Sequence, residues 1–376
     1  MTVRYFATCP KGIEPMLRDE CREAGLRRVK QARGGVHFEG TARDGMRACL
    51  WLRTAHRVLW PLGSFACPDT EALYAGIVAL PWEQHLTPRH TLAITALGTN
   101  EALRHTGFIA QRSKDAIVDR LRDRAGGRPS VELHEPDVRI VVHLDRTLAS
   151  VSLDLSGDGL HRRGWRAASV EAPLRETLAA AIVRATGWDR VMPLVDPLCG
   201  GATIPIEAAL LARRLAPGLD RAHGFLRWPT FGDVEKAAWR ELCDEARAAA
   251  LPAAPAVIMG VDRDPEAMEA ARRNVRAAGV EGDVELSVGD GANLMLPQAP
   301  GLIVTNPPYG ERLGRPGRPM QDFFRRLGTG FARYKGYTAW ILSGNEEFPR
   351  HFGLRWTNRL PLWNGPLPCN LFRYEL

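Results

Sequence analysis

"MPLVDPLCGGATIPIEAALLARR", residues 192–214, changes character twice in quick succession. Leu194 and Val195 have the apolar run of a short buried strand, and Pro197 cannot continue its ladder. Gly200 and Gly201 then allow a tight turn, and from Thr203 onward the apolar residues fall at the spacing of an amphipathic helix. The same succession recurs outward in both directions. A helix through Leu178, Ala181, Ile182 and Ala185 precedes it, and "AVIMGVDRDPEAMEAARRNV", residues 256–275, repeats strand, acid and helix. "VELSVGD" at 284–290 and "LIVTNPPYGERLG" at 302–314 hold further strand ends, and "YTAWIL" at 337–342 is a strand after a helix around Phe323 to Phe331. Alternating strands and helices predict a mostly parallel, doubly wound sheet, whose ligands lie outside the carboxyl ends of its strands.

Each strand end carries residues suited to a ligand. Gly200 and Gly201 let backbone approach one closely, and Asp196 can face a cation or a hydroxyl across the cleft. Asp262 closes an apolar strand where such folds place an acid that accepts hydrogen bonds from ribose hydroxyls. Asp264, immediately before Pro265, is the better helix cap, which leaves Asp262 for a ligand. Asp290 ends a third strand. At the fourth, Asn306, Pro307, Pro308 and Tyr309 form a stiff loop. A neutral planar amine needs two acceptors to hold its hydrogens and a flat surface to fix its ring plane. Asn306 Oδ1 and the Pro307 carbonyl can supply the acceptors and Tyr309 the surface, preorganised by the prolines.

The first 155 residues read differently. Short strands ("VRYFATC", "GVHFEG", "RVLWPLGSF", "TLAITAL") alternate with helices, one presenting Ile109, Ser113, Ile117 and Leu121 on one face, and "RIVVHLDRTLASVSLDLSG" has the pattern of a hairpin. No Gly-rich phosphate loop occurs there, so the chemistry belongs to the second half. Residues 156–176 have the glycines, charges and proline of a connector.

Composition narrows the class. The 376 residues suit two or three domains, and 45% hydrophobic with 25% charged content is that of a folded soluble chain. Net charge is +7, spread over both halves, which permits a nucleic acid partner without demanding one. Seven scattered cysteines, with no CxxC pair, argue against a disulfide framework and a thiolate metal site; no metal is expected. No long apolar run and no charged-then-apolar leader are found, so the expected location is the cytoplasm.

"DPLCGGAT", "GVDRDP", the Gly289-Asp290 pair and "NPPYGERLG", in this order, resemble the motifs of class I S-adenosylmethionine-dependent methyltransferases that modify planar amino groups. With "GGVHFEG", "KDAIVD", "SVSLDLSGDGLHRRGWR" and "ETLAAAIV" the similarity extends over nearly the whole chain. Together they resemble the bacterial THUMP-domain 23S rRNA guanine-N2 methyltransferases. The resemblance implies a ferredoxin-like segment (1–60), a THUMP RNA-binding domain (61–156), a connector (157–172) and a class I methyltransferase domain (173–376). It implies S-adenosylmethionine held by Asp196, Pro197, Cys199, Gly200, Gly201, Thr203, Asp262, Arg263, Asp290 and Asn306, with Asn306, Pro307, Pro308 and Tyr309 around the target base. It further implies methylation of one guanine N2 in 23S rRNA; separately, a monomer is expected. Arg112, Lys114, Arg162, Arg163 and Arg166 are the candidate RNA contacts, and His161 and His223 are read as surface or RNA-contact residues without a catalytic role.

Three features depart from the family pattern or extend it. The cofactor turn usually reads Cys-Gly-Ser-Gly-Thr, and here Gly201-Ala202 replaces Ser-Gly, so a Cβ stands where bare backbone is expected. Some members carry a second methyltransferase domain, and this chain stops at Leu376, so one modification is expected. The aromatic segment "HGFLRWPTFGDVEKAAWREL" lengthens the interval between Asp196 and Asp262 and is expected to pack over the catalytic domain rather than to touch RNA. Other planar amines fit the same loop: a tRNA guanine N2, an adenine N6 in DNA or a glutamine N5 in protein. A non-catalytic RNA-binding protein that kept the fold is the alternative of another class, which the intact 306–309 loop disfavours.

Overall fold

Strand order was beyond the reach of sequence pattern, and the computed structural model supplies it for residues 2–168, 173–308 and 318–376. The chain forms two compact units. The first holds Cys21–Leu160, Arg221–Asp244 and the N-terminal residues to Thr8, and the second holds Cys9–Glu20, His161–Asp220 and Glu245–Leu376.

In the first unit, alternation drives the strands. Tyr5 and Ala7 of β1 (Val3–Thr8) are buried while their neighbours are not, and in β3 (Gly35–Gly40) buried Val36 and Phe38 flank the half-buried His37. In chain order come β1, α1 (Glu14–Glu23, whose residues up to Glu20 belong to the second unit), β2 (Arg27–Ala32), β3, α2 (Ala42–Trp51), β4 (Arg57–Ala66), α3 (Thr70–Val78), β5 (Thr91–Leu97), α4 (Thr106–Ala125), β6 (Ser130–Val131), β7 (Val138–Asp145) and β8 (Leu148–Asp154). The strands make one eight-stranded sheet in the order β2-β3-β1-β4-β8-β7-β5-β6. β4 joins its two halves: Arg57–Leu59 pair antiparallel with β1, and the strand from Leu59 to Ala66 pairs with β8. The expected hairpin is β7–β8, closed at Asp145↔Leu148, and Ile109, Ser113, Ile117 and Leu121 are all buried on α4.

The second unit carries α5 (Glu176–Ala185), β9 (Leu194–Asp196), α6 (Thr203–Ala212), the end of α7 (Asp233–Ala248), β10 (Ile258–Asp262), α8 (Pro265–Ala277), β11 (Val284–Val288), β12 (Gly301–Thr305), α9 (Arg318–Phe331), β13 (Tyr337–Ser343), α10 (Phe348–Phe352), β14 (Trp356–Asn364) and β15 (Leu367–Glu375). Its seven-stranded sheet runs β11-β10-β9-β12-β13-β15-β14. The first five are parallel, and β15 and β14 are antiparallel. β9 lies between β10 and β12, so the order reverses there and a crevice opens at the strand carboxyl ends. Helix α8 starts as expected: Asp264 Oδ1 accepts the Glu266 N–H at 2.9 Å, ahead of Pro265. Helix α6 differs from expectation, for all ten of its residues are buried, so it is a core helix and not an amphipathic one. Phe324, Phe331, Phe348, Phe352 and Tyr374 pack the core against β13 and β15.

The aromatic segment does not pack where the sequence suggested. Residues 221–244 belong to the first unit rather than to the catalytic one. Trp228 meets Trp60 at 6.0 Å between ring centroids, Arg227 Nε donates to Pro136 O at 3.0 Å, and Arg221 Nη2 donates to Asp158 O at 2.9 Å. Gly224 and Gly157 sit so close that a Cβ on Gly224 would clash with Gly157 backbone. His223, read as a surface residue, is buried and stacked on Phe225 at 5.3 Å with Trp239 edge-on. An aromatic pair adds about 0.5–1.5 kcal/mol beyond the area it buries, and β4 offers Trp60 to Trp228.

Candidate active site

A cavity of roughly 290 Å³ opens at the carboxyl ends of β9, β10 and β12. Asp196, Cys199, Gly200, Gly201, Thr203, Asp262, Arg263, Asn306 and Pro308 all line it, so most of the residues singled out from four separate strand ends meet in one place. Asp196 is fully buried at the end of β9; its Oδ1 accepts the Thr305 hydroxyl at 2.7 Å and the Leu198 N–H at 3.2 Å. Burial, reinforced by the charge of Asp262, pushes its carboxyl up to about 7 despite those two donors. Asp262 holds the turn itself: Oδ2 accepts the Gly200 N–H at 2.9 Å and Oδ1 the Asp264 N–H at 3.1 Å. Gly200 favours glycine because its φ is +50°, and the space where a Cβ would stand is free of protein atoms. Ala202 also has a left-handed backbone, φ +62°, with no exposed surface. The departure from the family's glycine is therefore a backbone strain of about 1–2 kcal/mol. Burial also raises the Cys199 thiol well above its ordinary value, so it is an apolar wall rather than a nucleophile.

Asn306 follows β12 and faces the cavity with Oδ1 sealed from solvent and, among the described residues, without a hydrogen-bond partner. Pro308 lines the same cavity, and Phe323 of α9 adds an apolar ring to it. Tyr309 lies outside the described residues. Three expected residues stand off the cavity wall, and one of them, Pro307, is buried beside it. Pro197 abuts the next loop, where a Cβ at Gly291 would collide with its carbonyl. Asp290 is 47% exposed, accepts the Ala292 N–H at 3.1 Å and lies 3.7 Å from Arg326.

Sequence reading missed three contributors. Thr305 hides in an apolar strand, and Phe323 in a helix. Asn274 is fully buried on α8, where its Nδ2 donates to Gly201 O at 3.1 Å and its Oδ1 accepts the Ala168 N–H at 2.9 Å. It clamps the cofactor turn to the connector, and the available signal was one amide among the apolar positions of that helix.

The candidate RNA contacts divide. Arg112 lies 4.1 Å over the Tyr74 ring and 3.4 Å from Glu71, and Lys114 pairs with Asp115 at 2.6 Å. Arg162 is exposed. Arg163 is not an RNA contact: it pairs with Glu207 at 3.2 Å with side-chain exposures of 2% and 0%. Burial of one charge requires the other, and Glu207 sits on the core helix α6. Arg166 is bound by Glu176 at 2.8 Å, Leu174 O at 3.1 Å and Thr203 Oγ1 at 3.3 Å.

A parallel sheet reversing between β9 and β12, with carboxylates and an amide gathered at the reversal, defines a class I S-adenosylmethionine-dependent methyltransferase domain. Residues 163–373 match the family model of the RMKL-like methyltransferase domain, residues 4–59 that of the RlmL ferredoxin-like domain and residues 67–154 that of the THUMP domain. The chain belongs to the RMKL-like methyltransferase family, with a ferredoxin-like and a THUMP domain ahead of the catalytic one. It is 43% identical to "Ribosomal RNA large subunit methyltransferase K/L" of Syntrophotalea carbinolica, over 100% of this chain and 54% of that protein. It is 37% identical to "Putative RNA methyltransferase slr0064" of Synechocystis sp., over 99% of this chain and 96% of that one. The chain thus spans about half the length of several K/L relatives and nearly all of the Synechocystis protein. Among solved structures, "SMU.472, a putative methyltransferase complexed with SAH" superposes with a TM-score of 0.90 at 30% identity, covering 100% of this chain and 98% of that one. A "predicted N6-adenine-specific DNA methylase" of Listeria monocytogenes gives 0.89 at 30% identity, covering 100% and 96%. Among the described residues no helix is long and apolar enough to cross a membrane.

Proposed function

We propose that this chain methylates the exocyclic N2 amine of a guanine in 23S rRNA, by direct displacement on a base taken out of its stack. The observation that carries the reading is Asn306: on a residue that lines a cavity rich in carboxylates, a carbonyl oxygen sealed from solvent and, among the described residues, without a partner is an acceptor suited to an incoming N–H. The cavity residues fit S-adenosylmethionine, since Asp196 and Asp262 suit a cationic ligand with free hydroxyls, and the turn at Gly200 leaves open space beside the backbone. When bound, the cofactor supplies a methyl group on a cationic sulfur that is already a good leaving group.

The protein's task is then alignment and desolvation. Asp262 is assigned to the ribose hydroxyls while it holds the Gly200 turn, and Asp196 to the cationic side of the cofactor. Asn306 Oδ1 and the Pro307 carbonyl hold the two amine hydrogens, which directs the nitrogen lone pair at the methyl carbon. Tyr309 is assigned to the face of the base. No base is needed before attack, because the amine loses its proton once it has become cationic. Residues 1–156 are assigned to anchoring RNA, 157–172 to connecting, and 173–376 to catalysis. The names of the K/L relatives support large-subunit rRNA as substrate, whereas the Listeria structure's title names DNA adenine.

The test is to incubate the purified chain with methyl-labelled cofactor and, separately, 23S rRNA, 16S rRNA, tRNA and DNA, then to digest and separate the nucleosides. Label in N2-methylguanosine from 23S rRNA is expected. Label in N6-methyladenine from DNA, or none in any RNA, overturns the reading.

A further inference from the structure

Pro173 and Leu174 form a wall shared by two cavities. One is the active-site cavity, and the other, about 450 Å³, lies beside the connector. Four arginines (162, 163, 166 and 175), His161 and Glu176 line this second space, so guanidinium groups outnumber carboxylates four to one in its wall. Arg163 and Arg166 are engaged by Glu207 and Glu176, and the side chains of Arg162 and Arg175 are exposed. Arg166 keeps an Nη1 that is sealed from solvent and, among the described residues, has no acceptor. Burial lowers the His161 imidazole from its ordinary value; Glu176 opposes this, while Arg175, Arg162 and Arg163 reinforce it. With Arg163 and Arg166 each matched by a carboxylate, the exposed guanidinium groups of Arg162 and Arg175 in one concavity match one ligand chemistry, a tetrahedral oxyanion bound through several oxygens.

We propose that this cavity is a phosphate site, which takes a backbone phosphate of the RNA next to the nucleotide whose base enters the active-site cavity, with Arg162 and Arg175 as its principal donors. The proposal rests on the reading of the protein as an RNA methyltransferase. A base rotated out of its stack brings its own backbone with it, and the shared Pro173–Leu174 wall puts a cationic cavity alongside. The connector that carries Arg162 is also tied to the cofactor turn, through Arg166 to Thr203 and through Ala168 to Asn274 and Gly201. A phosphate held there would anchor the target nucleotide beside the active-site cavity with no contact to the base.

The full-length Arg162→Glu/Arg175→Glu variant tests this with an in vitro transcribed 23S rRNA as probe. Loss of one phosphate contact should flatten the log–log salt slope of RNA binding by about 0.7–0.9. KM for the RNA should rise at least about tenfold, with kcat at saturating RNA within about twofold and cofactor affinity unchanged. The milder Arg162→Gln/Arg175→Gln variant should show the same pattern if charge reversal impairs folding. A wild-type slope and KM in variants that bind cofactor normally overturn the phosphate site while leaving the RNA reading intact. A wild-type protein that neither binds nor methylates the RNA overturns both.

Discussion

Asp196 is a buried carboxyl at the floor of the active site, and its replacement by Asn separates its charge from its hydrogen bonds. Asn keeps an oxygen to accept the Thr305 hydroxyl and the Leu198 N–H, so the local geometry survives. What disappears is ionisation. Each pH unit between the ordinary 3.8 and about 7 is worth about 1.4 kcal/mol, so the ionised carboxyl costs the fold about 4 kcal/mol. Because the folded value lies above the unfolded one, this stability is fully present below about pH 4 and is lost as pH rises through about 7. About 2–3 kcal/mol of that loss falls between pH 5 and pH 8. Urea titrations of wild type and Asp196→Asn without cofactor should therefore diverge over that range, the variant gaining on wild type as pH rises. The same physics links protonation to cofactor: a cationic ligand favours the carboxylate, so calorimetry near pH 6 in buffers of different ionisation heat should show proton release on binding by wild type alone. Parallel stability profiles from pH 5 to 8 would refute the reasoning, since the carboxyl would then titrate alike in the folded and unfolded chain.

Asn274→Ala removes both arms of the clamp between Gly201 and Ala168, so denaturant unfolding should show a loss of about 2–4 kcal/mol and calorimetry a weaker cofactor affinity. Arg163→Ala strands the buried Glu207 charge and should cost about 3–5 kcal/mol by the same unfolding measurement, while the salt slope of RNA binding by the folded fraction stays at the wild-type value. Ala202→Val puts a β-branched side chain at a buried left-handed position and should lower stability by at least about 2 kcal/mol. Ala202→Gly should stay within about 1 kcal/mol of wild type, because relief of strain offsets the lost methyl burial. A thermal melt distinguishes these two.

The strand ends of the catalytic domain were legible without coordinates because the signals that make them are local. Pro197, Gly200, Asp262, Asp264-Pro265 and Asn306-Pro307-Pro308 each act on their own backbone within a few residues. An amino-acid string carries such punctuation directly, and its repetition in strand–helix alternation was enough to predict a doubly wound sheet and to expect its ligand at the carboxyl ends. Which ends converge was another matter. The placement of β9 between β10 and β12 brings Asp196 to Thr305 across 109 positions of sequence and leaves Asp290 at the rim. Burial of charge was equally hidden. Arg163 and Arg162 are adjacent and identical in type, yet one faces Glu207 in the core and the other solvent, because a partner 44 positions away decides it. His223 and the aromatic segment around it read as surface or as cover for the catalytic domain, and went instead to Trp60 and Pro136 of the first unit. Local backbone chemistry is written residue by residue, whereas desolvation and pairing are properties of neighbours that only the folded chain brings together.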